Sequence, residues 1–325
     1  MRIVRSSARV RVPATSGNLG PGFDSLGMAH PIYDEVSVRL TTGATSVKIE
    51  GEGAEVLPTD DSHLIVRALR RTLDVAGLPG SGIQLTCRNA IAQGRGLGSS
   101  AAAVVAGIML VRGLVDTPEL LDDQSVLTIA SEFEGHPDNA APAIFGGAVL
   151  SWMEGAENRQ SDTGTGTDER GVSSSSFAGQ MRRAHAVKIP VSSAIRTTLL
   201  VPDSQLLTET ARSVLPPLVP HADAAFNSSR TAMLVLALGG RPDLLLEATK
   251  DRLHQDYRAD SMPASAHLVR ALREAGWPAV ISGAGPSVLV FDELDPATVE
   301  VIRAQGFRVL RGGPAEGASV VPGEK

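Results

Sequence analysis

The sequence predicts an α+β protein in two parts, and three observations carry that prediction. The opening reads as strands first and a helix after. A glycine-rich turn at 94–98 runs directly into a stretch that is apolar almost without a break. In the later half, short strands and helical patterns mix without the strict alternation of a parallel α/β sheet. At 325 residues the chain has the length of roughly two domains. They are expected at 1–153 and 185–325, on either side of a tract at 154–184.

Taken in order, residues 8–12 alternate apolar and basic side chains, as a half-buried strand requires, and Pro13 is expected to end it. A loop at 14–24 follows. Val36, Val38 and Leu40 mark a second strand, and 47–49 a third beyond the turn at Gly43. Residues 61–76 have helical spacing through Leu64, Ile65, Ala68, Leu69 and Leu73, with Gly77 as a stop. A short strand at 83–86 precedes the glycine turn. The stretch 101–115 is read as a helix because alanine dominates it, with serine as N-cap and burial on most sides. A second helix at 124–134 shows Val126, Ile129, Ala130 and Phe133 on one face and stops at Gly135. A polar turn, 136–139, follows, and a strand resumes through Val149 and Trp152.

Residues 154–184 are rich in Ser, Thr, Gly, Asp and Arg, show no hydrophobic period, and are read as a disordered insertion. Structure returns at 196–201, and helical patterns follow at 208–215, 222–238, 244–254 and 264–275. Two short strands, 279–281 and 288–291, are joined by 282–287.

Composition narrows the function. Hydrophobic residues at 42% and charged residues at 20% give the balance of a folded globular chain. A net charge of -6 with 3% aromatics argues against nucleic acid as a partner. Cys87 is the single cysteine, which excludes an intrachain disulfide and favours a reducing compartment. No apolar run reaches the roughly 18 residues of a membrane span, so no membrane is expected and the chain is read as cytoplasmic.

The chemistry centres on the glycine turn. Gly94, Gly96 and Gly98 let backbone approach a ligand closely, and the helix that follows presents free N–H groups and a positive dipole end, a combination suited to a nucleotide triphosphate. No Gly-Lys-Ser/Thr follows, so this is not a Walker loop. On spacing alone it reads equally as a tight strand-to-helix connection. Glu134 adds to the first reading: a carboxylate in the last turn of a helix is disfavoured unless a cation compensates, and magnesium on a nucleotide is such a cation. Asn18 and Asp24 in one loop, and Asp138 and Asn139 in another, read by themselves as ordinary turn residues.

Four segments together carry a resemblance: PATSGNLGPGFD at 13–24, GRGLGSSAA at 94–102, EGHPDN at 134–139 with APAIFGG at 141–147, and SGAGPS at 282–287. In this order they resemble the GHMP small-molecule kinases, and the first segment points within that family to the members that phosphorylate homoserine. The resemblance implies a first part like the second domain of ribosomal protein S5, a ferredoxin-like second part, and an active site between them. It implies ATP-dependent phosphorylation of the L-homoserine hydroxyl on the route to threonine, and a homodimer. By position, Ala92, Gln93, Gly94, Arg95, Gly96, Leu97, Gly98, Ser99, Ser100, Ala101 and Ala102 would cradle the triphosphate. Ser100 and Glu134 would hold Mg²⁺, and 283–287 would close over the site. Asn18, Asp24, His136, Asp138, Asn139 and Gly283 would surround homoserine.

Thr208 and Arg212, four apart on one helical face, match a family substrate pair, and Arg258 matches a second family arginine. A guanidinium fork suits the substrate carboxylate. Asn139 is expected to orient the hydroxyl, and Asp24 and Asp138 to bind the ammonium, with Asp138 as a general base the alternative. The chain departs from the family pattern at Ala92 and Asp256, where proline is usual, and at Ser62 and His63, where an asparagine often lies near the adenine. Two other readings stand beside this one: a GHMP kinase for another small alcohol such as mevalonate or shikimate, and a nucleotide-binding regulator without catalysis.

Overall fold

The computed structural model describes residues 1–154 and 182–321. β1 (Ser7–Gly17) and β2 (Leu26–Thr41) form an antiparallel pair at the centre of the first sheet. The expectation that Pro13 ends β1 is corrected. The strand runs on to Gly17, and the register shifts between Pro13 and Ala14, because a bulge accommodates the missing N–H. Residues 14–17, read as loop, are therefore held on a sheet. β3 (Ser46–Gly51) lies parallel to β4 (Gly82–Asn89), a pairing that needs a crossover, and α1 (Leu64–Val75) supplies it. Its buried face includes Ile65, Ala68, Leu69 and Leu73, as the spacing predicts.

α2 (Ser99–Leu114) packs on β1 and α1 and buries twelve of its sixteen residues, which is why its sequence lacks a polar face. α3 (Asp123–Glu134) starts at the Asp122 cap and stops at Gly135 in a left-handed conformation, as expected. α4 (Ala140–Phe145), too short to show a period, carries the chain to β5 (Ala148–Met153), which pairs with the first residues of β2. The expected insertion falls mainly on 155–181, outside the described residues. At its ends, β6 (Ala184–Ile189) pairs antiparallel with β5, starting with Ala184 opposite Met153.

The second sheet begins with β7 (Thr198–Pro202). α5 (Thr208–Ser213), α6 (His221–Gly240), α7 (Leu245–Ala248) and α8 (Pro263–Glu274) follow before the hairpin of β8 (Ala279–Ile281) and β9 (Val288–Val290). α9 (Pro296–Ala304) leads to β10 (Phe307–Arg311), completing the antiparallel order β10-β7-β9-β8. The helix expected at 244–254 is shorter: only α7 and a preceding turn of 3₁₀ are helical. The Asp251 carboxylate accepts the backbone N–H groups of Leu253, His254 and Gln255 and turns the chain there. Finally β11 (Ser319–Val321) returns to pair with β1, so the first sheet takes strands from beyond residue 153 twice. Among the described residues, no helix is long and apolar enough to cross a membrane.

Candidate active site

The loop between β4 and α2 shows why three glycines are needed. Gly96 and Gly98 sit at φ of 71° and 66°, and a Cβ on Gly98 would overlap Thr15 Oγ1. Gly98, not serine, is the N-cap of α2, and no side chain caps the helix; Ser99 and Ser100 are its first residues. The cap position demands a left-handed backbone, which serine adopts only under strain.

Each loop carbonyl is turned toward protein. Gly94 O accepts from Leu206 N (2.8 Å), Arg95 O from Ser287 N (3.2 Å), Leu97 O from Thr15 N (3.0 Å) and Gly98 O from Ala102 N (2.9 Å). Gly96 O accepts from Ser282 Oγ (2.6 Å). Across a trans peptide the N–H points away from the preceding C=O. Among the described residues, no amide from Gly94 to Ala101 donates to a protein acceptor. Unshared donors at the positive end of a buried helix form an anion site.

Gln93, Gly94, Gly96, Gly98, Ser99 and Ser100 line a cavity of about 580 Å³. The side chains of Ala92, Leu97, Ala101 and Ala102 lie in the core instead, so these residues can offer a ligand only backbone. Arg95 turns away: its Nε donates to Pro202 O (2.9 Å) and its Nη2 to Asp203 O (2.8 Å), fastening the loop to the end of β7. At Ala92, where the family usually has proline, stiffness comes from Asp34, whose Oδ1 accepts from Ala90 N (2.7 Å) and Ile91 N (2.9 Å).

Burial pushes the Asp34 carboxyl up to about 6, against those two hydrogen bonds. The folded state therefore binds more protons than the unfolded one between pH 3.8 and about 6, and stability falls as pH rises through that window. Asp34→Asn keeps the Oδ1 acceptor without the charge. It should be more stable than the parent at pH 7, by up to about 3 kcal/mol, with the gap closing near pH 4 in denaturant titrations.

Glu134 ends α3 at the cavity that Ser100, at the start of α2, also lines. Burial pushes its carboxyl up to about 7, helped by the Asp138 charge and opposed by His136, Arg212 and the Ser100 hydroxyl. A carboxylate and a hydroxyl beside a row of anion-seeking amides offer hard oxygen donors, and a desolvated acid favours a cation. The pair fits a magnesium ion that keeps its remaining contacts to phosphate and water.

Asp138 is fully buried and accepts from His136 Nδ1 (2.5 Å). Burial works against protonation of His136, but this hydrogen bond and the Asp138 charge outweigh it and hold the imidazole pKa above its usual value. Asn139 donates weakly to Asp138 (3.4 Å) while its Oδ1 accepts from Thr15 Oγ1 (3.0 Å). Thr15 lies in the segment 13–24, but nothing in the sequence assigns it the role of orienting Asn139. Thr15→Val, which keeps the shape and removes the donor, should cost about 1 kcal/mol in transition-state stabilisation, roughly fivefold in kcat/KM.

Asn18 and Asp24 both adopt left-handed backbone. The Asn18 amide is engaged at both ends, accepting from Asp24 N (2.9 Å) and donating to Gly283 O (3.0 Å), so it latches its own loop to the second half of the chain. Asp24 does not line the cavity directly. It pairs with the fork of Arg212, which does, and its carboxylate oxygen lies within 4.8 Å of a His136 ring nitrogen and an Asp138 carboxylate oxygen. Thr208 and Arg212 share α5 and both face the cavity.

Arg258 is 1% exposed. Its Nε donates to Ala211 O (2.8 Å) and its Nη1 to His254 Nδ1 (3.0 Å), and burial together with Arg212 lowers its pKa to about 10. His254, also buried, donates from Nε2 to Gly20 O (2.7 Å), which fixes its tautomer for receiving Arg258. Asn227 ties Pro21 O to Asp251. These three supports, Asn227, Asp251 and His254, fall in the stretches 222–238 and 244–254 read only as helical patterns, and a helical pattern does not mark a single polar residue as a support. His63, where the family often has an asparagine, caps α1 by accepting from Ile65 N (3.3 Å).

Comparisons with known proteins give the family. The GHMP kinases N terminal domain matches residues 63–147, and the GHMP kinases C terminal domain matches 233–305. Homoserine kinase from Streptomyces coelicolor is 46% identical over 98% of this chain and 95% of its own length. That from Rhodococcus erythropolis is 44% identical over 97% and 96%. The crystal structure of homoserine kinase from Cytophaga hutchinsonii matches the fold with a TM-score of 0.77 at 24% identity, covering 99% of each chain. With both kinase domains present and this identity sustained along nearly the whole length, the chain belongs to the homoserine kinases of the GHMP kinase family.

Proposed function

We propose that the protein transfers the γ-phosphoryl group of ATP to the side-chain hydroxyl of L-homoserine, giving O-phospho-L-homoserine for threonine biosynthesis. The observation that carries this reading is the meeting of Glu134 and Ser100 at the mouth of α2, in the same cavity as Asp138, Arg212 and Arg258.

The free amides of 94–101 bind the triphosphate, and Ser100 and Glu134 hold Mg²⁺, which when bound neutralises phosphate charge. Substrate recognition follows from charge. Arg212 and Asp24 form an ion pair beside the cavity. An amino-acid zwitterion carries both countercharges, so it can enter between them and leave each with an opposite partner. Its carboxylate then meets Arg212 and Arg258, its ammonium meets Asp24 and Asp138, and Asn139, held by Thr15, orients the hydroxyl. Phosphoryl transfer through a loose transition state asks mainly for this alignment and for charge neutralisation, so no strong base is required. The buried single cysteine is in keeping with a cytoplasmic setting.

The test is phosphate transfer from ATP with Mg²⁺, measured across homoserine, mevalonate and shikimate. Turnover of homoserine alone is expected. Turnover of mevalonate or shikimate at a comparable rate would reassign the substrate, and ATP binding with no turnover of any of the three would favour the regulator.

A further inference from the structure

Among the described residues, Gly96 has the one carbonyl from Gly94 to Gly98 that accepts from a side chain, the others accepting from backbone amides. The donor, Ser282 Oγ, is itself 2.6 Å from Ser16 Oγ, which is 2.7 Å from His30 Nε2, and His30 Nδ1 is 2.7 Å from Gly313 N. Ser16, His30 and Ser282 are all 0% exposed. Through these three buried side chains the chain links five separate segments: the stretch around Gly313, β2, β1, the 282–287 loop and the phosphate loop.

Its direction is fixed by its ends. A backbone N–H can only donate and a backbone carbonyl can only accept. Gly313 thus donates to His30 Nδ1, which leaves the proton of a neutral imidazole on Nε2. His30 donates to Ser16, Ser16 to Ser282, and Ser282 to Gly96. Reversing any link would leave Gly96 O without a donor or set two donors against each other. Burial drives the His30 pKa down to about 3, consistent with an imidazole that cannot carry a second proton here.

We propose that Ser16, His30 and Ser282 are positioning residues for nucleotide binding, a buried one-way hydrogen-bond chain that pins the Gly96 carbonyl away from the triphosphate. Because the peptide plane is rigid, pinning that carbonyl also fixes the aim of the Leu97 N–H. Release of the carbonyl would let an acceptor rotate toward the phosphates in place of a donor. The neighbouring tethers, Arg95 O to Ser287 N and Gly283 N to Gly17 O (3.1 Å), keep the loops in contact, so the fold does not depend on this chain alone. The inference rests on the kinase reading of the site.

The experiment compares Ser282→Ala, Ser16→Ala, the double variant, His30→Leu and His30→Gln. Direct titration with ATP and Mg²⁺ is paired with KM for each substrate and thermal melting. Each serine variant should weaken ATP binding about tenfold while KM for homoserine stays within twofold. The double variant should match the singles, because a serial chain is already broken by one loss. His30→Gln keeps an acceptor and a donor on one terminal group and should bind ATP like the parent, whereas His30→Leu should resemble Ser282→Ala. Unchanged ATP affinity in folded Ser282→Ala, or multiplicative losses in the double variant, overturns the proposal. Should His30→Leu fail to fold, the serine variants decide alone. Absence of ATP binding by the parent would instead overturn the reading of the site.

Discussion

Glu134→Gln is expected to lower kcat by about 10²- to 10³-fold, the scale of loss when a group aimed at transition-state charge is removed. Gln preserves the size of the side chain and the contact with Ser100, so the fold should survive. The missing element is the negative charge. Glu134 sits at the negative end of α3, is desolvated, and has the Asp138 carboxylate nearby, all of which disfavour an anion there. A position with that many penalties against a carboxylate makes chemical sense when a cation completes it. Ser100→Ala should give a milder loss, about tenfold, because a neutral hydroxyl is the weaker donor to a divalent ion. Steady-state kinetics with a magnesium titration measures both, and a loss under fivefold for Glu134→Gln would remove this residue from the metal site.

Arg258→Met should raise KM for homoserine by about two orders of magnitude while leaving KM for ATP near the parent value, matching loss of a charged hydrogen bond of roughly 2–3 kcal/mol. It should also lower stability, since Ala211 O and His254 Nδ1 would each lose a donor inside the protein at about 1–3 kcal/mol apiece. Arg258→Lys separates the two effects. An ammonium can restore one hydrogen bond but not a planar fork that serves the protein on one side and a carboxylate on the other. The lysine variant should therefore recover part of the melting temperature and little of the substrate affinity. Equal effects on both KM values would place Arg258 outside homoserine recognition.

The site was legible where chemistry depends on spacing. Gly94, Gly96 and Gly98 announce a loop of unusual backbone, Gly135 announces the end of the helix bearing Glu134, and four short segments in order announce the family. Readings failed where a single side chain overrides a pattern. The stretch 244–254 has helical periodicity, but Asp251 captures three amides and halts it. Pro13 reads as a strand stop, but a bulge absorbs it. Serine is the better helix cap by propensity, but the left-handed turn at 98 admits glycine. The supporting roles of Thr15, His30 and His254 were silent because a buried polar residue has no period. Its meaning lies in partners that are 124, 283 and 234 residues away in sequence.

The return of β11 to the edge of β1 bears on how the polypeptide matures at the ribosome. The first sheet is almost entirely encoded before residue 190, yet its outermost strand is synthesised only after every strand of the second sheet. Until then the outer edge of β1 is an open template for strands of other chains. Contacts of such long sequence separation also slow folding. Nascent chains stalled before Ser319 should accordingly be more protease-sensitive and more prone to self-association than released ones, although nearly all of the catalytic cleft is already encoded in them.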